Sequence, residues 1–377
     1  MKELTELFEA RRRAMQVPHA VATVLRVEGS SYRRPGARML IDVHGRVAGS
    51  VSGGCLEKSV VAQGQAALSD GRARLLSFDT TDQDDLAFGT SLGCEGKIWI
   101  GLEVLPAGEP WPLEAVVRDV RRQRQPAALV TEIHGEKENV QFHSGAVFAG
   151  SGVESALSSG KRWRNEIAEV LRVRKTRFVG SEMPGSALIE WLAPPLTLLL
   201  FGGGPDVPAM VKLARELGHE ITVIDRRPDF ALPEQFPGAD HVMAAKPHQI
   251  AAKLRPDSRT AAVIMNHHYD TDRDVLAAIL PLGLPYIAML GPKRRTARIL
   301  DELGAEGHDV SESALLTIHG PAGLDIGAET PEQIALAILA EIQATLAGRD
   351  GAQLRRRDAP IHGDPAPQKK AACALPV

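Results

Sequence analysis

LTLLLFGGGPDVPAMVKLARELGHEITVIDRRPDF, residues 196–230, is the stretch on which the reading of the whole chain turns. Thr197 to Phe201 is an apolar run of strand length, and Gly202, Gly203 and Gly204 follow at once. Val207, Met210, Val211, Ala214 and Leu217 then recur at helical spacing, which predicts an amphipathic helix. Gly218 stops that helix, since glycine takes positive φ without a side-chain clash. Glu220 to Ile224 reads as a second strand with Asp225 at its end. Strand, glycine turn, helix, strand and an acidic residue about 20 positions on is the order of a dinucleotide-binding βαβ unit.

Within that unit Gly202 allows the tight turn and Gly204 lets backbone approach a phosphate. Val207 stands where a third glycine is usual, so helix and strand are expected to pack slightly further apart. Asp206 is predicted to cap the helix, where its carboxylate competes with a phosphate for the same N–H groups. The pattern speaks more strongly for the fold than for NAD(P). A Rossmann-like scaffold whose nucleotide site has been reassigned is the competing reading.

Working outward, 377 residues exceed one ordinary domain, and two are expected. The paired prolines Pro194-Pro195 mark the boundary, just before the first strand of the glycine-turn unit. The expected fold class is α/β. A Rossmann-like parallel-sheet domain spans 194–348, preceded by an N-terminal α+β domain over 1–193 and followed by a disordered tail over 349–377. In the first domain, Met39 to Val43 and Arg46 to Val51 read as a hairpin around His44-Gly45, while residues 135–165 are Gly/Ser-rich and poorly patterned. In the second, Arg273 to Leu282 reads as a helix, and Thr330-Pro331-Glu332-Gln333 is a capping box with proline at the first helical position. The formal net charge of −3 gives no reason to expect nucleic-acid binding. No run of about 18 apolar residues predicts a membrane span. Three separated cysteines and a charged, amphipathic start suit a reducing cytoplasm better than a disulfide framework or an export signal.

In an open parallel sheet, ligands sit beyond the carboxyl ends of the strands. Gly202–Gly204, Asp225-Arg226-Arg227, Asn266–Asp270 and Gly291–Arg295 mark four such ends, and His319–Gly327 forms a further loop. Arg226, Arg227, Lys293, Arg294 and Arg295 are expected to give the crevice positive charge suited to a phosphorylated ligand, with His267 and His319 as donors or acid–base groups. Any one of these cations alone is ordinarily a solvated surface residue; their recurrence after strands carries the functional reading. The first domain holds the sharper signal. Cys55 follows Gly53-Gly54 and opens a helix, where free N–H groups favour thiolate; Glu57 in the first turn opposes it unless it points to solvent or pairs with Lys58 or an arginine of residues 33–38. Cys94 sits in a similar Gly-Cys-x-Gly setting. Two small core residues is the plain alternative for these cysteines, and glycines on both sides weigh against it. Neither has histidine partners at zinc-ligand spacing.

ATVLRVEGSSYRRPGARMLI, GRVAGSVSGGCLE and LGCEGKIWI resemble the first domain of the XdhC/CoxI family, accessory proteins of xanthine dehydrogenase and related molybdenum hydroxylases. LLLFGGGPDVPAM, VIDRRPDF, MNHHYDTDRDVL, MLGPKRRTARIL and HGPAGLDIGAETPEQIALAILAEI resemble its Rossmann-type second domain. The resemblance covers most of residues 18–105 and 196–346. It implies a cytoplasmic factor, a cofactor-maturation chaperone rather than an enzyme with its own turnover being the favoured reading, that binds molybdenum cofactor as molybdopterin or its dinucleotide form. Its partners would be a cysteine desulfurase for sulfuration and an apo molybdenum hydroxylase of the xanthine dehydrogenase type; a homodimer is left open. Cys55 and Cys94 would carry the chemistry, with Cys55 as a soft molybdenum ligand or sulfur carrier. Gly53, Gly54, Gly202, Gly203, Gly204, Asp225, Arg227, His267, Gly291, Arg294 and His319 would bind the cofactor. The chain departs from the family where Pro205 replaces a frequent histidine, Pro292 a usual serine and Glu95 a glycine beside Cys94; each proline removes a backbone donor.

An NAD(P)-dependent oxidoreductase, with Asp225 on the ribose and His267 or His319 as acid–base group, is the second hypothesis. It gives Cys55 and Cys94 no role. A pure interaction scaffold explains neither the glycine-flanked cysteines nor the charged strand ends.

Overall fold

The computed structural model describes residues 1–79, 96–136, 139–149 and 162–358. The chain divides into two compact units, Met1–Pro194 and Pro195–Val377. The first contains α1 (Lys2–Arg13), β1 (His19–Gly29), β2 (Arg38–Asp42), β3 (Gly45–Gly49), α2 (Glu57–Asp70), β4 (Arg74–Asp79) and β5 (Gly96–Leu105). It continues with α3 (Pro112–Gln123), β6 (Ala127–Glu136), β7 (Asn139–Phe148), α4 (Arg164–Val173), β8 (Arg177–Val179) and β9 (Ala187–Leu192). Its strands form two antiparallel sheets, ordered β3-β2-β1-β5-β4 and β7-β6-β9-β8. The hairpin β2–β3 turns at Asp42, whose Oδ1 accepts the N–H groups of His44 (2.7 Å) and Gly45 (3.0 Å). Helix α3 buries Leu113, Val117 and Val120 along one face, beside Trp111 packed edge-on against Phe8 at 5.2 Å.

A buried ion pair joins the two sheets. Arg38 on β2 donates to Glu190 on β9 through Nη1 (2.8 Å) and Nη2 (2.6 Å), and both side chains are 5% exposed. Gly36 has no side chain because a Cβ there would lie 2.5 Å from the Glu190 carboxylate. Glu103 on β5 competes for the same guanidinium. Burial pushes its pKa up to about 7, Arg38 pulls it down, and Glu190 adds to the rise.

The second unit contains β10 (Thr197–Phe201), α5 (Val207–Glu216), β11 (Glu220–Asp225), β12 (His241–Ala244), α6 (Pro247–Lys253), β13 (Thr260–Ile264) and α7 (Tyr269–Ile279). Then come β14 (Tyr286–Met289), α8 (Lys293–Ala305), α9 (Glu312–Leu315), β15 (Ile318–His319) and α10 (Pro331–Leu346). All six strands are parallel in the order β12-β11-β10-β13-β14-β15, as a Rossmann-like sheet requires. Strand β13 is buried along its whole length, which the apolar run AAVI after Thr260 reflects. The box at α10 forms as read: Thr330 Oγ1 accepts from Gln333 N–H (3.4 Å) and Gln333 Oε1 from Thr330 N–H (3.1 Å).

Three local readings change. Strand β7 and the start of α4 fall in the stretch expected to be unpatterned. β7 is an edge strand with only Val140 and Val147 buried, so its alternation is too thin to register. Helix α7 begins at Tyr269, four residues before Arg273, because His268 accepts the Thr271 N–H as its cap (3.4 Å). Residues 349–358, expected to belong to a disordered tail, include a short 3-10 turn at Leu354–Arg356, and a Cβ on Gly351 would lie 2.9 Å from Leu324. Residues 359–377 lie outside the described residues.

Candidate functional site

The Cys55 loop joins β3 to α2 and is organised by Ser52. Its buried Oγ accepts the N–H groups of Gly54 (3.1 Å) and Leu56 (3.1 Å) and donates to Glu57. Glu57 Oε1 takes the Ser52 N–H at 3.0 Å and lies 3.0 Å from Ser50 Oγ. Glu57 therefore neither points to solvent nor pairs with Lys58 or the 33–38 arginines: two serines hold it. Burial raises its carboxyl, but these hydrogen bonds outweigh burial and keep its pKa below the ordinary carboxylate value. Helix α2 starts at Glu57, so Cys55 occupies the turn ahead of the helix rather than its first position.

Cys55 is half-buried, a free thiol packed against the core beneath β1, β2 and α2, with Sγ 3.5 Å from Ser52 Oγ. Gly53 and Gly54 are exposed on either side of the turn. Gly54 has φ +112 and open space where a Cβ would stand, and the Tyr32 ring lies over Gly53. A cavity of about 460 Å³ opens here, lined by Tyr32, Arg46, Ser50, Ser52, Gly53, Gly54 and Glu57. Cys94, Glu95 and Cys373 lie outside the described residues. Sequence reasoning missed Tyr32, Arg46, Ser50 and Ser52; Ser52, three residues before the cysteine, carried the one available signal, a hydroxyl ahead of a helix start.

In the second unit, the chain order reverses beside β10, and the strand ends there carry the marked residues. Gly202 (φ +124) passes so close to β13 that a Cβ would lie 2.7 Å from the Met265 carbonyl oxygen. A Cβ on Gly203 would collide with the carbonyl oxygen of Phe230. Gly204 is open except for His267, whose Cδ2 would lie 3.8 Å away. Asp225, 1% exposed, accepts from Gly203 N–H (2.7 Å) and from Arg227 N–H (2.8 Å), Nε (3.0 Å) and Nη2 (2.9 Å). Burial raises its carboxyl; the Arg227 and Gly203 donors outweigh burial and hold its pKa below the ordinary value. Arg227 also lies over the Phe230 ring, 3.5 Å from its centroid.

On the other side of β10, His267 sits at φ +58, a left-handed conformation that costs a non-glycine residue energy, with its side chain 52% exposed. Its Nε2 lies 3.0 Å from Asp206 Oδ2. Asp206 is thus the residue before α5, as predicted, but its side chain makes no cap: it turns to His267 and leaves the helix N–H groups uncontested. Asn266 N–H (3.2 Å) and Nδ2 (3.0 Å), with Arg295 Nη2 (2.6 Å), all donate to the buried Asp272. Burial raises the Asp272 carboxyl, and these donors do not fully offset it. Gly291 (φ +114) lets the chain turn against the Arg295 side chain. Arg226, Lys293 and Arg294 are exposed.

His319 finds its partners on β14 and α10 rather than on the glycine turn. Its ring stacks on Tyr286 at 4.3 Å, and Nδ1 lies 3.1 Å from Glu341 Oε1. Glu341 also accepts from Tyr286 Oη (2.5 Å) and Gly323 N–H (2.8 Å), which makes it a hub that the sequence reading did not single out.

The residues that would hold an adenine dinucleotide do not fit one in its ordinary pose. The carboxylate meant for the ribose is sealed and saturated, and the turn meant for the pyrophosphate is partly covered by the chain's own carbonyl. The Cys55 loop does fit a cofactor that presents a soft metal or sulfur: it combines a half-buried free thiol with open backbone at Gly54, beside a cavity lined by the neighbouring Ser52, Gly53, Gly54 and Glu57 rather than by Cys55 itself. Among the described residues, no group of three or more His, Cys, Asp or Glu side chains could hold a metal ion by itself. No described helix is long and apolar enough to cross a membrane.

Comparison with known proteins agrees with this two-part layout. Residues 198–342 match the profile described as the XdhC Rossmann domain, and residues 13–79 that of the XdhC and CoxI family. The chain is 31% identical over 335 residues to a protein of Bacillus subtilis named as a probable xanthine dehydrogenase subunit, covering 86% of this chain and 92% of that protein. It is 22% identical over 325 residues to the "Molybdenum cofactor insertion chaperone PaoD" of Escherichia coli, covering 85% and 81%. Among solved structures, a xanthine dehydrogenase crystal structure from Bacillus halodurans superposes with a TM-score of 0.72 at 28% identity, over 92% of this chain and 96% of that one. With both domains matched in order and a relative above 30% identity along nearly its whole length, the chain belongs to the XdhC and CoxI family.

Proposed function

We propose that this protein is an accessory factor that binds molybdenum cofactor, as molybdopterin or its dinucleotide form, and supports its sulfuration and insertion into a molybdenum hydroxylase of the xanthine dehydrogenase type. The names of the Bacillus subtilis and Escherichia coli relatives support the client class and the cofactor. The observation that carries the reading is the Cys55 loop: a half-buried free thiol on a turn whose neighbours Ser52, Gly53, Gly54 and Glu57, though not Cys55 itself, line a cavity of about 460 Å³. The bound group would supply a thiophilic metal centre. The chain's own residues do the rest. Ser52 and Glu57 hold the loop rigid, Gly53 and Gly54 admit the ligand to the backbone, and Cys55 offers sulfur. Cys94 on its own glycine-flanked loop is proposed as a second sulfur, and a cytoplasmic cysteine desulfurase as the sulfur source.

The test is co-expression with a client hydroxylase in molybdenum-replete cells, measuring molybdenum, pterin fluorescence and nicotinamide in the purified protein together with client activity. Cys55→Ser is expected to leave the fold intact while cofactor retention and client activation fall; Cys373→Ser is expected to do neither. A Cys55→Ser variant that loads its client normally would reduce this cysteine to packing.

A further inference from the structure

The second unit has the strand order and glycine turn of a nucleotide-binding fold, yet its most characteristic ligand contact is already made internally. An ionised carboxylate offers about four acceptor positions on its two oxygens. Asp225 receives four donors from its own chain: Gly203 N–H and Arg227 Nη2 on Oδ2, and Arg227 N–H and Nε on Oδ1. No acceptor position remains for the two hydroxyls of a ribose, and at 1% exposure the carboxylate meets no solvent through which one could approach. Arg227 is fixed from its other face by the Phe230 ring at 3.5 Å. The turn that carries Phe230 is closed by its own backbone bonds, Phe230 N–H to Arg227 O (3.1 Å) and Ala231 N–H to Pro228 O (3.0 Å). That turn lays the Phe230 carbonyl over Gly203, so the missing Cβ at 203 makes room for protein rather than for a phosphate. Across β10, by contrast, Gly204 is open and His267 is half-exposed.

We infer that Arg227 and the Pro228–Phe230 turn occupy the ribose side of this crevice, so that the unit rejects adenine nucleotides and takes its ligand on the β13 side, over Gly204 and His267. The inference goes beyond the reading of the Cys55 loop and stands or falls separately from it. It makes Arg227 a specificity-determining residue, one that excludes a ligand instead of binding one.

Titration of the full-length protein with NADH and NADPH, followed by their fluorescence, and with NAD+ and ATP by calorimetry, tests it. Wild-type protein is expected to show no saturable binding of any of the four. Arg227→Ala frees two acceptor positions on Asp225 and is expected to show saturable binding of NADH and ATP, at least about tenfold tighter than the detection limit that bounds wild type, the scale of one charge-assisted hydrogen bond. Arg227→Ala/Phe230→Ala should gain at least as much. Wild-type protein that binds NADH at micromolar concentration, and loses it in Asp225→Asn, would overturn the inference. So would NADPH binding lost in Arg227→Ala, which would make Arg227 a reader of the 2′-phosphate. Folded single and double variants that gain nothing would equally remove these residues as the cause of exclusion. Should Arg227→Ala unfold, the wild-type titrations still decide whether the subsite is closed.

Discussion

Replacing Glu103 by glutamine should make the first unit more stable at alkaline pH and leave it unchanged in acid. Glu103, Glu190 and Arg38 place two carboxylates against one buried guanidinium, and Arg38 commits both its terminal nitrogens to Glu190. Glu103 is left with burial as its dominant influence, and its pKa rises from 4.5 to about 7. A carboxyl whose pKa is higher in the folded state binds its proton more tightly there. Its contribution to stability is therefore fully present below pH 4.5 and is lost as pH rises towards 7. Holding that proton so much more tightly in the folded state corresponds to about 3 kcal/mol, and the residue's partial contact with water trims this to about 2–3 kcal/mol. Glu103→Gln keeps the shape and stays neutral at every pH, so it should match wild type near pH 4.5 and exceed it by that amount at pH 8. For a unit of this size the gain is roughly 4–12 °C in the melting midpoint. Calorimetry of wild type and variant between pH 4.5 and 8 reads it directly, following the transition of the first unit. A variant whose difference from wild type does not change with pH, or that is less stable at pH 8, would show that Glu103 is ionised without penalty and refute the three-charge argument.

Gly203→Ala should destabilise the second unit by about 1–3 kcal/mol, because its Cβ collides with the Phe230 carbonyl, while Gly204→Ala should be near neutral with only His267 at 3.8 Å; equal melting shifts in the two would contradict the packing at this turn. Ser52→Ala removes the acceptor for the Gly54 and Leu56 N–H groups and the donor to Glu57. It should lower stability by about 1–2 kcal/mol and speed Cys55 alkylation, and an unchanged alkylation rate would mean that Ser52 does not order the cysteine loop.

The elements that sequence reading recovers share one property: their determinants are local. β10, the glycine turn, α5 and β11 lie within 196–230, and each is signalled by a periodicity or by a glycine whose backbone needs it. The same holds for the β2–β3 turn at Asp42 and for the α10 box at Thr330 and Gln333. Cys55 behind its two glycines and Asp225 at a strand end were legible for that reason. Edge strand β7 was not, since it buries too little to leave a pattern.

What each polar side chain does was decided in three dimensions. Asp225 and Glu57 have partners close in sequence, Arg227 for one and Ser50 and Ser52 for the other, but only the folded chain brought the Gly203 N–H, 22 residues away, onto Asp225 and completed its shell. Asp206 left the helix it precedes for His267, 61 residues away, and His319 found Glu341 on α10. Arg38 met Glu190 across 152 residues. The sequence by itself determined the two-unit plan, the parallel Rossmann-like sheet and the glycine-flanked cysteine, because hydrophobic period and glycine conformation act over a few residues. Only the tertiary structure decided which carboxylates are free and which are filled. A charge is satisfied by whatever donors the packed elements bring within about 3 Å, and no spacing along the chain encodes that.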